Sequence, residues 1–224
     1  REIVLVAQDL ASFGSDHGRR GSIVSLVNAV AKRVDRVRLL YLYPSDLTDE
    51  LVEAVLSTGV PYFDLSLQHV ARTHLRRMRR WGDGERFLNR IAEIRRASPD
   101  ATFRSNFIVG YPGETEDDQA ELLAWMQEAQ LDWCGLFTYS REDGTYAAGL
   151  PNEVPTELMS ERHTELSELQ DTVTATRRDQ LVGSLIEVLV DRPGVGRSHR
   201  EAPEIDGVVK VPQALQAAGI YNVL

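Results

Sequence analysis

Hydrophobic residues follow two alternating patterns along the first two thirds of the chain. Short apolar or β-branched runs at 2–7, 37–43, 62–67, 102–109 and 133–139 read as strands, and each leads into a stretch with amphipathic, helix-like spacing. Five βα units are countable, fewer than the eight of a closed barrel but enough for a partial barrel or an open doubly wound sheet. The segments Ile3-Val4-Leu5-Val6-Ala7 and Phe107-Ile108-Val109 are continuously apolar, as parallel strands covered by helices should be. Helices are expected at 22–33, 48–57, 73–80 and 85–97. The best marked begins at Thr115, where a capping hydroxyl precedes Glu116-Asp117-Asp118 and Leu122, Leu123 and Met126 carry the apolar face onward.

After Leu150 the pattern changes. Pro151 and Pro155 bracket a loop, 156–179 reads as one long polar helix, and 185–190 reads as a strand. Gly194, Gly196 and Gly207 with Val208-Val209-Lys210-Val211 suggest a small antiparallel β-unit. We therefore divide the chain into an α/β region, 1–179, with its linking helix, and a second module, 180–224. About 45 residues are marginal for independent stability, so the second module is expected to be truncated or docked.

Composition narrows the class. With 224 residues, 42% hydrophobic and 26% charged, the chain has the balance of an ordered globular protein. No apolar run approaches the roughly 20 residues of a membrane span, and the opening segment is too short and too charged for a signal peptide, so a cytoplasmic protein without a membrane partner is expected. The chain opens at Arg1 inside a strand, which suggests a segment of something longer. Acids outnumber Lys plus Arg by 34 to 25, net −9, which disfavours a nucleic-acid binder held by bulk charge but leaves room for a local basic patch. The single cysteine, Cys134, excludes an internal disulfide and any cysteine-based metal cluster made by this chain alone, and reads as a buried strand residue.

Ligands of parallel α/β proteins bind beyond the carboxyl ends of the strands. Those ends carry Gln8-Asp9, Tyr43-Pro44-Ser45, Gln68-His69, Gly110-Tyr111-Pro112-Gly113-Glu114 and Tyr139-Ser140-Arg141, which predicts a pocket at this face. The two glycines around Pro112 would let the backbone turn tightly and approach a ligand. Glu114, Glu116, Asp117 and Asp118 favour the following helix but would repel phosphate, so a ligand with a cationic centre fits better than a phosphate. The stretch from Gly14 through Gly18-Arg19-Arg20-Gly21-Ser22 lacks the lysine and the glycine spacing of a phosphate loop. His69 is a candidate ligand contact or an internal hydrogen-bonding group. On a helix His69 and His74 would diverge by about 140° and could not chelate one metal. His17, His163 and His199 read as solvated, and no Gly-x-Ser-x-Gly elbow is present. Arg72, Arg76, Arg77, Arg79 and Arg80 form the densest basic run, either a solvated helix face or a site for an anionic partner, with Arg80 the strongest pocket candidate.

These segments resemble a known family, the radical S-adenosylmethionine methylthiotransferases, and within it the branch acting on an aspartate of ribosomal protein S12. The resemblance rests on Ile3 through Asp9, Arg38-Leu39-Leu40-Tyr41-Leu42-Tyr43-Pro44, Tyr62-Phe63-Asp64-Leu65-Ser66-Leu67-Gln68-His69 and Phe107 through Thr115. It continues through Phe137-Thr138-Tyr139-Ser140-Arg141-Glu142-Asp143-Gly144-Thr145 and Ala202-Pro203-Glu204-Ile205-Asp206-Gly207. It implies a partial (β/α) radical-SAM barrel followed by an antiparallel TRAM β-barrel, here incomplete. It also implies S-adenosylmethionine and two 4Fe-4S clusters as cofactors, a reductant for the cluster, and insertion of a methylthio group by radical hydrogen abstraction. By position, Gln8 and Asp9 would face the methionine part of the cofactor, Gln68, Arg80 and Asn106 would face the pocket, and Ile108 and Phe137 would lie along the adenosine. No catalytic residue follows from the resemblance.

The family's Cys-x-x-x-Cys-x-x-Cys loop has no counterpart here, and a four-iron cluster needs several thiolates, so the chain alone is expected to be inactive. Other readings are a tRNA methylthiotransferase of the same family and a cluster-free βα binding protein. A barrel isomerase or aldolase is disfavoured, since Lys32 and Lys210 are the only lysines and neither falls at a strand end. Glu201, Glu204 and Asp206 are expected to attract the basic substrate protein, and the open edge at 2–7 is expected to self-associate.

Overall fold

The computed structural model describes residues 1–19 and 21–224. Strand β1 (Glu2–Leu5) pairs in parallel with β2 (Arg36–Leu39), and β3 (Tyr62–Gln68), β4 (Thr102–Val109) and β5 (Trp133–Thr138) pair in parallel in that order. A parallel bridge between Leu42 and Leu65 joins the two sheets, with Leu42 N donating to Asp64 O at 2.8 Å and Ser66 N to Leu42 O at 3.0 Å. Five parallel strands in chain order are the arrangement of a partial (β/α) barrel. The second strand is shorter than its apolar run suggests because Tyr41 turns to φ 59°, a left-handed conformation that ends the ladder.

Helices α1 (Ser22–Ala31), α2 (Asp49–Leu56), α3 (Arg72–Arg77), α4 (Gly84–Ala97), α5 (Glu116–Ala129) and α6 (Thr156–Asp179) flank the strands. Helix α5 starts as its sequence predicts, since Thr115 and Asp118 form a reciprocal capping box. Helix α3 stops short of residue 80, where Arg79 adopts φ 56°. The core lies between sheet and helices: Phe63 stacks on Phe103 at 5.3 Å, and Phe107 meets Trp125 of α5 edge-on at 5.6 Å. No helix among the described residues is long and apolar enough to cross a membrane. Arg20, in the glycine-containing stretch before α1, lies outside the described residues.

Beyond α6 a four-stranded sheet is ordered β8-β7-β6-β9, from β6 (Ile186–Arg192), β7 (Val195–Arg197), β8 (Val209–Lys210) and β9 (Ile220–Val223). Its own core is small, Val188, Val190 and Val211 with partly buried neighbours. Strands β7 and β9 carry no clear sequence signal, being short runs beside Gly194 and Gly219 with little apolar alternation.

The segment leaving β7 is the element that the sequence pattern does not announce. Residues 197–207 cover the amino-terminal end of the partial barrel. Arg36 Nη1 donates to Arg197 O at 3.0 Å, Arg38 Nη1 to His199 O at 2.9 Å, and Trp133 Nε1 to Arg200 O at 2.6 Å. Ala202, fully buried, packs among Leu40, Val60 and Tyr62. Glu2 bridges Arg38 and Arg197 at 2.9 and 2.7 Å. Asp132 joins Arg177 of α6 and Arg200.

This arrangement corrects two expectations about the tail. Glu201 is buried and accepts from Ser198 N at 2.8 Å and Ser198 Oγ at 2.7 Å. Asp206 accepts from Tyr62 Oη at 2.6 Å and faces Arg104 Nε at 3.3 Å. Glu201 is taken up by hydrogen bonds from Ser198 and Asp206 by its ion pair with Arg104, so only exposed Glu204 of the three proposed attractors faces solvent.

Candidate functional site

Register fixes which side chains share the inner face of the sheet. Asp64 pairs with Arg104, which opposes Trp133; one step further along the strands Asn106 opposes Gly135, and beyond that Ile108 opposes Phe137. The first level is sealed by residues 197–207. Arg104 there bridges Asp64, at 3.1 Å, and Asp206. Burial acts to lower the Arg104 pKa, but Asp64, Tyr62 and Asp206 together hold it above its ordinary value. Burial pushes the Asp206 carboxyl up, against the opposing pull of the Tyr62 hydroxyl, the Ala202 N–H and Arg104.

The next levels are open. Asn106 is half-buried and its Oδ1 has no hydrogen-bond partner; a Cβ on Gly135 would collide with that oxygen, so the glycine makes room for the amide. Phe137 is 57% exposed beside half-buried Ile108. Gln68 reaches the same end of β3 through a register shift after Leu65 and sits at φ 72°. Gln68, Asn106, Ile108 and Phe137 thus stand at the carboxyl ends of three adjacent strands.

The other three expected residues are placed differently. Gln8 and Asp9 follow edge strand β1 and are exposed, with Asp9 Oδ1 accepting from Ser12 N at 3.2 Å to close a turn. Arg80 donates Nη1 to Ser66 O at 2.9 Å and lies 5.4 Å above the Tyr43 ring; burial lowers its pKa. It braces the end of β3.

The turn at residues 110–114 serves the fold more than a ligand. Gly110 and Gly113 have φ 79° and 84°, and the groups crowding them belong to the protein itself. A Cβ at Gly110 would collide with the Met159 side chain, and one at Gly113 would lie 2.7 Å from Arg77 Nη1. Glu114 is not a free acid at a helix terminus. Its Oε2 accepts from Gly110 N at 3.0 Å and its Oε1 from Arg162 Nη1 at 2.8 Å, locking the turn to α6. Helical geometry does not apply to His69 and His74, because His69 precedes α3. Their rings lie 4.6 Å apart, with His74 Nε2 3.0 Å from Asp118 and His69 Nδ1 accepting from Ala71 N. Among the described residues no group of three or more His, Cys, Asp or Glu side chains is arranged to hold a metal.

Two more histidines are less solvated than expected. His163 is half-buried with Nε2 3.3 Å from Leu136 O, and His199 Nε2 lies 3.0 Å from Asp100 O, its pKa lowered by burial. Cys134 packs beside the core on the helix side of β5, and burial pushes its thiol up to about 12. Arg162 and Gly135 escaped sequence reasoning. A signal for the first existed: Arg162 falls on the buried stripe of α6 with Leu166, Gln170 and Val173, where a cation implies a buried partner.

The Radical SAM superfamily matches over residues 10–126, and the TRAM domain over residues 182–224. A "Ribosomal protein uS12 methylthiotransferase RimO" of Salinispora tropica is 48% identical over 215 residues, 92% of this chain and 42% of that protein. Proteins of the same name from Moorella thermoacetica and Chloroflexus aurantiacus are each 44% identical, covering 98% and 94% of this chain and 52% and 50% of their own length. The chain spans about half the length of the curated relatives it matches. Among solved structures, the coproporphyrinogen III oxidase HemN from Escherichia coli, described as a radical SAM enzyme, superposes with a TM-score of 0.52 at 15% identity, covering 70% of this chain and 37% of that one. That likeness concerns the fold alone.

Proposed function

The chain belongs to the radical SAM superfamily, and from that premise we propose that it forms the S-adenosylmethionine-binding region and TRAM module of a methylthiotransferase acting on an aspartate of ribosomal protein S12. The observation that carries this reading is continuity: relatives sharing one name align at 40–48% identity through both modules, which we take as 1–179 and 180–224. A cytoplasmic enzyme that draws electrons from a separate reductant follows from the same reading.

The residues present fit the adenosine end of the cofactor. An Asn106 amide whose Oδ1 is buried without a partner, a glycine opposite it and an exposed aromatic ring at Phe137 offer a polar group and an apolar shelf. In this reading Asn106, Ile108 and Phe137 hold the adenosine, Gln68 and Arg80 shape the wall, and Gln8 and Asp9 face the methionine moiety. S-adenosylmethionine supplies the radical chemistry of the superfamily when bound. The chain's own contribution is a dry floor, made by residues 197–207, and a wall of fixed strand ends that orients the ligand.

An iron–sulfur cluster does not fit the donor set of this chain. Its one cysteine faces the helices with a raised thiol pKa, and no other group of ligands converges among the described residues, so no step is assigned to a cluster.

The test is mass spectrometry of ribosomal protein S12 from cells with and without the gene encoding this chain. A methylthio increment on one aspartate, lost on deletion, is the expected result. Unmodified S12 in both strains, or loss of a methylthio group from tRNA instead, would overturn the assignment.

A further inference from the structure

The five arginines of the basic run stand apart from the rest of the charge distribution. The chain carries a net −9, yet Arg72, Arg76, Arg77, Arg79 and Arg80 have no carboxylate within 4.0 Å among the described residues, whereas nearly every buried arginine is paired. Arg72, Arg76 and Arg79 are exposed; Arg77 and Arg80 use one N–H each on the carbonyls of Pro112 and Ser66. Five uncompensated cations within nine residues repel one another, a cost that an external anion would relieve.

An aromatic group adjoins them. Trp81 is 44% exposed although its backbone N–H is fixed to Tyr43 Oη at 3.1 Å, and the Arg86 guanidinium lies 5.4 Å from its ring. Beside it opens a cavity of about 310 Å³ with Leu47, Leu65 and Phe87 in its wall and Asn89 at its margin. Of the nearby acids, Asp83 caps α4, Glu93 lines the cavity paired with Arg90, and Glu85 is exposed.

Cations in a row track a phosphate backbone, and an exposed ring with an adjoining apolar cavity accepts a nucleobase. We propose that α3 and the loop through Trp81 dock single-stranded RNA, with phosphates on the exposed Arg72, Arg76 and Arg79 and one base stacked on Trp81. An acidic peptide would satisfy the arginines but gives no use to the ring. The inference rests on the S12 reading and deepens it: an RNA contact on the rim of the strand ends means that the substrate protein is recognised together with the RNA of a ribosomal subunit, not free.

The experiment titrates the whole protein containing this chain with a fluorescent single-stranded RNA dodecamer across a salt series, with polyglutamate as competitor. Replacing Arg72, Arg76 and Arg79 by Gln should weaken RNA binding at least tenfold and reduce the salt slope by about 2, the share of three phosphate contacts on a single strand. Trp81→Ala should weaken binding by roughly tenfold with the salt slope unchanged. The three arginines are exposed, so their variant should keep the parent's unfolding midpoint, while Trp81→Ala, which also uncovers Phe87, is compared with Trp81→Leu, which should keep the fold but lose the stacking. RNA affinity unchanged in both variants, or polyglutamate that binds tightly and ignores Trp81→Ala, would overturn the inference. Because RNA affinity is read without turnover, its failure alongside intact S12 modification would remove this inference alone, whereas RNA binding without S12 modification would remove the preceding reading alone.

Discussion

The inner face of the sheet contains two regions built from the same strands. At the amino-terminal end Glu2, Arg38, Asp64, Arg104 and Asp206 are buried and matched charge to charge. Toward the carboxyl-terminal end, one inward-facing step beyond Arg104 on β4 and two beyond Trp133 on β5, Asn106 has an unmatched oxygen and Phe137 an uncovered ring. The difference shows where polarity serves the fold and where it is kept open. Satisfied buried ions fix one arrangement, while the buried, unpartnered Asn106 oxygen costs stability that no group in the protein offsets.

The strongest test of the contrast is Arg38→Ala. It strands Glu2 beside Arg197 alone and removes a guanidinium lying 4.4 Å from the Tyr62 ring, so a loss of about 3–5 kcal/mol is expected in denaturant unfolding. A loss below about 1 kcal/mol would erase the distinction between the two regions. Asn106→Ala should do the opposite. Removing an unpaired acceptor should change stability by less than about 1 kcal/mol, while S-adenosylmethionine affinity, measured by equilibrium binding to the whole enzyme, falls about tenfold. Destabilisation comparable to Arg38→Ala would mean that Asn106 belongs to the sealed region after all.

The smallest expected effect concerns pH. Burial depresses the pKa of His199 in the folded state, so the unfolded chain takes up a proton first as pH falls. The stability this histidine contributes is therefore present above the unfolded value of about 6.5 and is lost as pH drops toward the folded value. Asp206 acts in the reverse sense, its raised pKa favouring the folded state at lower pH. Unfolding midpoints of the parent and of His199→Gln across pH 7 to about 5 should converge at the acid end; parallel curves would show that His199 is not part of the seal.

The sequence made the βα order and the Thr115 cap legible because both depend on local chemistry: apolar runs for buried parallel strands, and a hydroxyl before acids for a helix start. Asn106, Ile108 and Phe137 were legible as neighbours only through resemblance, since strand register is not written in any one strand. Residues 197–207 were not legible at all as a seal. Glu201 and Asp206 look like surface acids in a glycine-flanked tail, and their partners Ser198, Tyr62 and Arg104 are a mixture of near and very distant residues. The pairing of Glu114 with Arg162, 48 positions away, is of the same kind.

That seal also sets an order of events in time. Glu2 meets Arg197 across 195 positions, and Arg38 meets the His199 carbonyl across 161. Contacts so distant in sequence form slowly, because a long loop must close before any of them rewards the chain. During synthesis, strands β1 and β2 leave the ribosome with Glu2, Arg36 and Arg38 still facing water, and their final burial waits until residues 197–207 have emerged. Tyr62, Arg104 and Trp133 of the three following strands wait for the same segment, so the barrel is made strand by strand but its amino-terminal end is closed only after the last of them.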